Sequence, residues 1–383
     1  MLAPRTGESY PAARTVAPRV HAHFERYLAA ARAQSVPGLA SLPAMEAIET
    51  IIDAAFWASL RREEGYVPRI SLAYAAAEQA DHPLLFERPL SLSPAGLARL
   101  APAVERAGIH LGVWPAGDSL RVWGTTRSVP TFCFVLEVAA PGLLVVKHHR
   151  GEETRKFVNV AVLEGDQVKV VDEHASSLPD CPALLTSLLG FDSPASWVNS
   201  ANVLVQLAVS MRAHGRGGAL LVVPAERESW RESIVHPITY AVSPAFSVLV
   251  ELMREPEEER RRRWWQDAWG RAVEAIAGLT AVDGATMITN AYELLGFGAK
   301  IARRKGSPQV EQVTVTEPIE GGVAGIVHPT QLGGTRHLSA AQFVQDQHDA
   351  VALVASQDGH FTVFAWSPCE DMVHAHRVET LLL

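Results

Sequence analysis

Cysteine is scarce: Cys133, Cys181 and Cys369 are the only three in 383 residues. They are far apart, odd in number and form no CxxC pair. That excludes a disulfide framework and a cysteine-built zinc site, and points to a reducing cytosol. Positive charge is also short, with 34 Lys and Arg against 42 Asp and Glu and a formal charge of −8. A surface of that sign does not displace counterions broadly, so neither nucleic acid nor a membrane is an expected partner, local basic patches aside. Long apolar runs are missing too: none nears the roughly 18–20 residues that cross a bilayer. The start, Met1-Leu2-Ala3-Pro4-Arg5, has no hydrophobic signal segment, so a soluble, cytoplasmic, unexported protein is expected. There is no internal repeat and no low-complexity tract. What the chain does have is length and 48% hydrophobic residues, enough for two globular domains or one large one, since cores seldom grow past about 250–300 residues.

The first hundred residues read as mainly helical. Between Pro43 and Glu64, Ile48, Ile52, Ala55 and Phe56 recur at helical spacing among polar residues. Ser93-Pro94 is a cap and first-turn proline, opening a helix that Pro102 kinks before an end near Gly108. From His110 the period changes to two. Leu111 to Trp114 and Leu120 to Trp123 flank the turn Pro115-Ala116-Gly117-Asp118 as a hairpin, and Thr131–Val138, Leu143–His148, Phe157–Leu163 and Val168–Val171 add four more β-rich runs. The Ser-, Pro- and Asp-rich stretch Glu173 to Asp192 is the best domain boundary.

After it, Ser193-Pro194 caps a helix with Trp197, Ala201, Leu204, Ala208 and Met211 on one face, leading through Gly215-Arg216-Gly217-Gly218 into the buried-looking strand Ala219 to Val223. Pro256 opens a second long helix in which Glu257 to Glu259 precede Arg260 to Arg263 at ion-pair spacing and Trp265, Trp269, Ala272, Val273 and Ile276 face a core. Short strands and turns follow, including Thr286–Thr289, Leu294–Ile301, an insertion from Arg303 to about Leu332 with the β-like run Val313-Thr314-Val315, a short helix over Ala340 to Gln345, and a hairpin joining Ala350–Ser356 to Phe361–Trp366.

Two segments carry more glycine and charge than folding alone requires. Val282-Asp283-Gly284-Ala285 lies between a helix and a strand, where a small turn lets a ligand approach the backbone beside a carboxylate; a lone Asp-Gly is also the commonest kind of plain turn. Gly333-Gly334-Thr335-Arg336-His337, with Ser339 after it, offers backbone N–H groups at a helix start, a guanidinium fork and an imidazole. The same residues serve a phosphate cradle or an ordinary cap. Other candidates have simpler readings. His374-Ala375-His376 near Cys369 has metal-ligand residue types but reads as a polar tail; His21, His23, His148 and His149 read as non-ligands, Arg260 to Arg263 as a solvated paired helix, and Trp265 and Trp269 as core. Gly215 to Gly218 is no P-loop, because no Lys-Ser/Thr follows.

Taken in order, the strand opening Gly218-Ala219-Leu220, the Asp283-Gly284-Ala285 turn, the Gly334-Thr335-Arg336-His337 helix start, and the strand Asp349 to Ser356 with its hairpin resemble the diadenylate cyclase (DAC) domain over about residues 195–367. The resemblance implies an α/β fold, a mixed sheet flanked by helices on which ATP lies, here preceded by an α+β N-terminal domain over 1–190 and followed by a C-terminal tail, 368–383. It further implies two protomers face to face as a homodimer with Mg²⁺ or Mn²⁺, each nucleotide's 3′-hydroxyl attacking the other's α-phosphate to give cyclic di-AMP. Carried over by position, Asp283 is the catalytic residue near the metal, Gly284 and Ala285 allow close approach of the nucleotide, and Gly334, Thr335, Arg336 and His337 hold phosphates.

Leu338 stands where the family has a second arginine, and Gln357 where it has an acidic residue after Ser356. A charge-assisted contact contributes on the order of 1.5–3 kcal/mol, so each loss slows turnover by tenfold or more without abolishing binding. With its long insertion and large N-terminal region, the chain looks like the divergent sensor branch labelled DACNV. That resemblance implies a sensor that binds an adenine nucleotide or cyclic dinucleotide and needs no metal, with an active diadenylate cyclase as the alternative and a ligand-free scaffold as a third reading.

Overall fold

The computed structural model describes residues 9–62, 65–149, 157–172 and 203–383. Contacts divide the chain into two compact units, Met1–Val171 with Leu383, and Asp172–Leu382. Each unit has one mixed sheet with helices against it, so the fold is mixed α/β, as the sequence predicts. The boundary stretch 173–192, the helix start from Ser193 to Ala201, and Cys181 lie outside the described residues.

In the first unit the order is α1 (Pro11–Ala33), α2 (Met45–Ser59), β1 (Ile70–Tyr74), β2 (Leu84–Ser91), α3 (Pro94–Val104), β3 (His110–Ala116), β4 (Ser119–Thr126), β5 (Phe134–Ala140), β6 (Leu143–His149), β7 (Phe157–Glu164) and β8 (Gln167–Val170). The strands pair as β2-β4-β3-β1-β5-β6-β7-β8, with β1 and β3 parallel and the other pairs antiparallel. Successive strand residues face opposite ways. Leu72 and Leu136 therefore join the main core with Phe24 of α1, Ile48 and Ile52 of α2 and Leu97 of α3. Ala73 and Val135 join a smaller cluster with Ala40, Val129 and Cys133, against which Phe157 packs.

Two features depart from the expectations. The first hundred residues are not mainly helical, because β1 and β2 lie among them. β1 is buried at every residue and shows no polar alternation, while β2 is almost wholly exposed and carries Glu87, Arg88 and Pro89; neither has the pattern of a half-buried strand. The α3 helix, capped by Ser93 Oγ accepting from Gly96 N–H at 3.2 Å, ends at Val104 rather than near Gly108.

The second unit runs α4 (Val203–Ala213), β9 (Gly218–Val223), β10 (Tyr240–Phe246), α5 (Val248–Arg254), α6 (Glu257–Arg260), α7 (Arg263–Leu279), β11 (Ala285–Thr289), β12 (Leu294–Ala299), β13 (Val313–Thr316), β14 (Gly325–Val327), α8 (Thr335–Asp346), β15 (Val351–Ala355), β16 (Phe361–Ser367) and β17 (Met372–Arg377). Its sheet order is β10-β12-β11-β9-β15-β16-β17-β13-β14. Leu221, Val223, Met287, Val354 and Phe364 meet Ala340, Ala341, Phe343 and Val344 of α8 in one core. Burying Phe343 and Phe364 completely stabilises the fold by about 1.5–3 kcal/mol each. The α4 helix packs against α7 and touches β15.

The helix expected from Pro256 is broken. Arg260 turns back to the carbonyls of Glu255, at 2.7 Å, and Met253, and Arg262 is extended before α7 begins. The expected ion pairs form all the same, Arg261 to Glu257 at 2.8 Å and Arg262 to Glu259 at 3.1 Å. The segment 368–383, read as a tail, supplies β17, which sits between β16 and β13. His374 and His376 are buried there rather than in a polar tail, His374 bonded to Glu370 at 2.9 Å and His376 to Thr316 at 2.7 Å.

Candidate functional site at one edge of the second sheet

Strand register brings the glycine-rich segments together. Ala285, the first residue of β11, pairs with Ala219 of β9 on one side and with Ala299, the last residue of β12, on the other; Gly218 at the start of β9 pairs with Ala355 at the end of β15. Gly217, Asp283, Lys300 and Ser356-Gln357 therefore emerge at the same edge of the sheet. The first turn of α8 reaches that edge as well. A Cβ added to Gly217, whose φ is +70°, would lie 3.1 Å from Arg336 Nη1, 3.3 Å from the Ala355 carbonyl and 3.4 Å from Gln357 Cγ. The Arg336 guanidinium thus rests against bare backbone where the β9 and β15 loops meet.

Asp283 is exposed and its Oδ2 accepts from Lys300 Nζ at 2.6 Å. That hydrogen bond and the lysine's charge hold the carboxyl below the usual carboxylate range, with the charge of Arg336 and the Gly284 N–H adding to the effect. Asp283 is an ionised carboxylate flanked by two cations at neutral pH. The close approach that Gly284 permits is to the protein's own backbone: at φ +109°, a Cβ there would come within 2.5 Å of the Gly298 carbonyl carbon. Ala285 is buried.

In the second segment, Gly334 and Thr335 are exposed, Arg336 is half-buried and His337 is buried. The imidazole packs against Gly333 and meets Phe364 edge-on at 6.1 Å. Burial, together with the nearby charges of His360, Arg336 and Arg377, pushes His337 down to about 4, so the ring is neutral at pH 7, and its Nε2 has no hydrogen-bond partner among the described residues. Charge for an anion on this segment is therefore carried by Arg336, supplemented by the N–H groups that every helix start leaves without helical partners. Leu338 packs against the core and so presents no cation, and Gln357 is exposed beside the Arg336 contact.

Sequence reasoning missed Lys300 and Gly217 as members of this edge. It also missed a neighbouring polar cluster, in which Glu379 accepts from Arg377 at 2.6 Å and bonds His360 at 3.2 Å. A strand followed by a lysine carries no local signal; the Ala285–Ala299 pairing is what places Lys300 opposite Asp283.

A divalent cation held by protein ligands does not fit these residues. Asp283 is a lone carboxylate already engaged by Lys300, and among the described residues no three His, Cys, Asp or Glu side chains are grouped to hold a metal ion. Nor is any described helix long and apolar enough to cross a membrane.

What the fold defines is a two-unit mixed α/β protein, with a cationic notch facing a single carboxylate in the second unit. Residues 37–127 match the family model described as "Probable sensor domain DACNV", which supports a sensor role. No curated protein matches the chain. The matched span lies wholly in the first unit, from ahead of α2 to just past β4, and not on the glycine and arginine segments of the second unit where the sequence suggested that label.

Proposed function

We propose that the chain is a sensor whose second unit binds an adenine nucleotide or cyclic dinucleotide at the edge shared by Asp283, Lys300 and Arg336. The observation that carries this reading is the convergence, at the strand ends beside Gly217, of two segments about fifty residues apart in sequence. Arg336 and the α8 start suit a phosphate, because a guanidinium fork and free N–H groups match its oxygens. Asp283, ionised and exposed, suits ribose hydroxyls, which donate to a carboxylate. Binding is favoured over turnover because phosphoryl transfer depends on neutralising charge. Here Leu338 and Gln357 stand where the cyclase family has ionic groups.

The test is a thermal-shift series on the full chain with ATP and cyclic di-AMP. A ligand that binds only the folded state raises its melting temperature. The expected result is a shift from one of the two that Arg336→Ala removes. The reading fails if neither nucleotide shifts the transition, or if incubation with ATP and Mg²⁺ or Mn²⁺ yields cyclic di-AMP that Asp283→Asn abolishes, which would make the protein a cyclase.

A further inference from the structure

The first unit has a cavity of its own, about 830 Å³, on the face that carries the smaller core cluster. That volume falls in the range of pockets that enclose small organic ligands. Its lining includes one carboxylate, Asp81, which has His82 at 3.5 Å, and three further kinds of group. Arg106, in the loop after α3, and Arg127, directly after β4, are exposed, and neither side chain has an ion-pair or hydrogen-bond partner among the described residues. His110 and His149 are buried, at 1% and 5% exposure. Phe157 lies against both imidazoles, with ring centroids 5.6 Å from His110 and 5.1 Å from His149.

The hydrogen bonding of His110 leaves one nitrogen for a ligand. Its Nδ1 is bonded to Ser71 Oγ at 2.7 Å. Burial pushes the ring down to about 4, so it is neutral at pH 7. Whichever way the proton runs between Ser71 and Nδ1, Nε2 has no protein hydrogen-bond partner among the described residues and is left for a ligand. A buried imidazole whose second nitrogen is uncommitted, in a cavity lined by two uncommitted guanidinium groups, is placed to hydrogen-bond a ligand there.

We infer that this cavity is a second ligand site, one that takes a small organic phosphate bearing a planar ring. Two guanidinium forks arriving from separate loops match a phosphate dianion better than a single carboxylate, because its three terminal oxygens let both forks engage at once. The Phe157, Ile109 and Val129 surfaces take the ring. The stretch matched to the sensor family contains Arg106 and His110 and ends on Arg127, so the liners that would recognise the anion belong to that stretch. This inference is independent of the nucleotide reading, since it uses no residue of the second unit.

Phenyl phosphate is the probe, measured by titration calorimetry on the full chain. The expected result is saturable binding, weakened about tenfold or more by Arg106→Ala and by Arg127→Ala, partly restored by Arg127→Lys, and unchanged by Arg336→Ala. Both arginines are exposed, so the variants leave the core intact. Absence of binding to the wild-type chain at about 10 mM probe overturns the inference, as does affinity that survives the Arg106→Ala/Arg127→Ala double variant or that depends on Arg336. A negative result here leaves the response to ATP or cyclic di-AMP as a separate measurement, so the two readings fail separately.

Discussion

Replacing Gly284 with alanine puts the backbone of the second-unit edge directly under test. At φ +109° an L-residue is strained whatever its surroundings, and the added methyl would sit 2.5 Å from the Gly298 carbonyl carbon and 2.8 Å from its Cα and oxygen. Those are main-chain atoms of β12, so no rotamer change relieves the clash; β11 and β12 must move apart. The left-handed conformation costs about 1–2 kcal/mol and forced overpacking about 1–3 kcal/mol more, giving roughly 2–5 kcal/mol together. For a unit of this size, that lowers the melting temperature by roughly 5–15 °C. Gly306 supplies the control, because its φ is +88° but nothing lies within 4 Å of the Cβ position. Gly306→Ala is expected to lose only the conformational part, about 1–2 kcal/mol. The assay is urea unfolding of both variants and wild type, followed by far-UV circular dichroism. Equal losses for the two would refute the claim that strand–strand proximity, rather than backbone conformation alone, demands glycine at 284.

Further expectations follow from the titrating and nucleophilic groups. Lys300→Met removes the largest influence on Asp283, so the carboxyl should titrate at higher pH, nearer its ordinary range, as read from its side-chain carbon shift by NMR. His110, His337 and His376 are each pushed down to about 4 from an ordinary 6.5, so the unfolded chain binds more protons between those values. Their contribution to stability is fully present above about pH 6.5 and is lost as pH falls toward 4; urea midpoints should drop across that window, and His110→Gln should flatten the drop. Burial pushes the Cys133 thiol up, whereas Cys369 is exposed. A thiol reagent should therefore modify Cys369 at once and Cys133 only on unfolding, scored by peptide mass.

The strands legible in sequence were those with period-two alternation or with a continuous apolar β-rich run, such as β9, buried at every residue. The hairpin about Gly117-Asp118 shows period-two alternation and forms β3 and β4; Leu143–His148 and Phe157–Leu163 form β6 and β7 almost at their expected ends. β1 and β2 escaped because Ile70-Ser71-Leu72-Ala73-Tyr74 is short and interrupted by small residues, while β2 is nearly bare at the sheet margin and carries Glu87, Arg88 and Pro89, so each is defined by its pairing partner. The same holds for β17. Met372-Val373-His374-Ala375-His376-Arg377 reads as a polar end until β16 and β13 close on either side, with Glu370 bonding His374 and Thr316 bonding His376. At the candidate site, the chemical types of Asp283 and Arg336 were visible in sequence, but their juxtaposition depends on non-local register, as does the recruitment of Lys300. The first-unit cavity was not visible either. Arg106, His110, Arg127 and His149 are scattered over more than forty positions, and nothing but the fold of the sheet collects them.

Under the proposed reading, the charge at the second-unit edge bears on why holding a nucleotide and transforming it would separate. Arg336 and Lys300 oppose one carboxylate, and Lys300 is already committed to Asp283 at 2.6 Å. An incoming phosphate therefore meets one uncommitted fork and the α8 start, enough for a charge-assisted hydrogen bond and for orientation by the helix end. A reacting triphosphate needs more, since charge must be neutralised on the attacked group and on the departing pyrophosphate together. Leu338 cannot supply it from where it packs, and His337 is neutral and enclosed. Turning Leu338 into arginine would place a cation against the core before it reached the edge. Restoring the family's charge there thus carries a desolvation penalty that Gln357→Glu, at an exposed position beside Arg336, does not. Of the two reversions, Gln357→Glu should leave the melting temperature near wild type while Leu338→Arg lowers it. A Leu338→Arg protein as stable as wild type would mean that the α8 start has room for a second phosphate-binding cation after all.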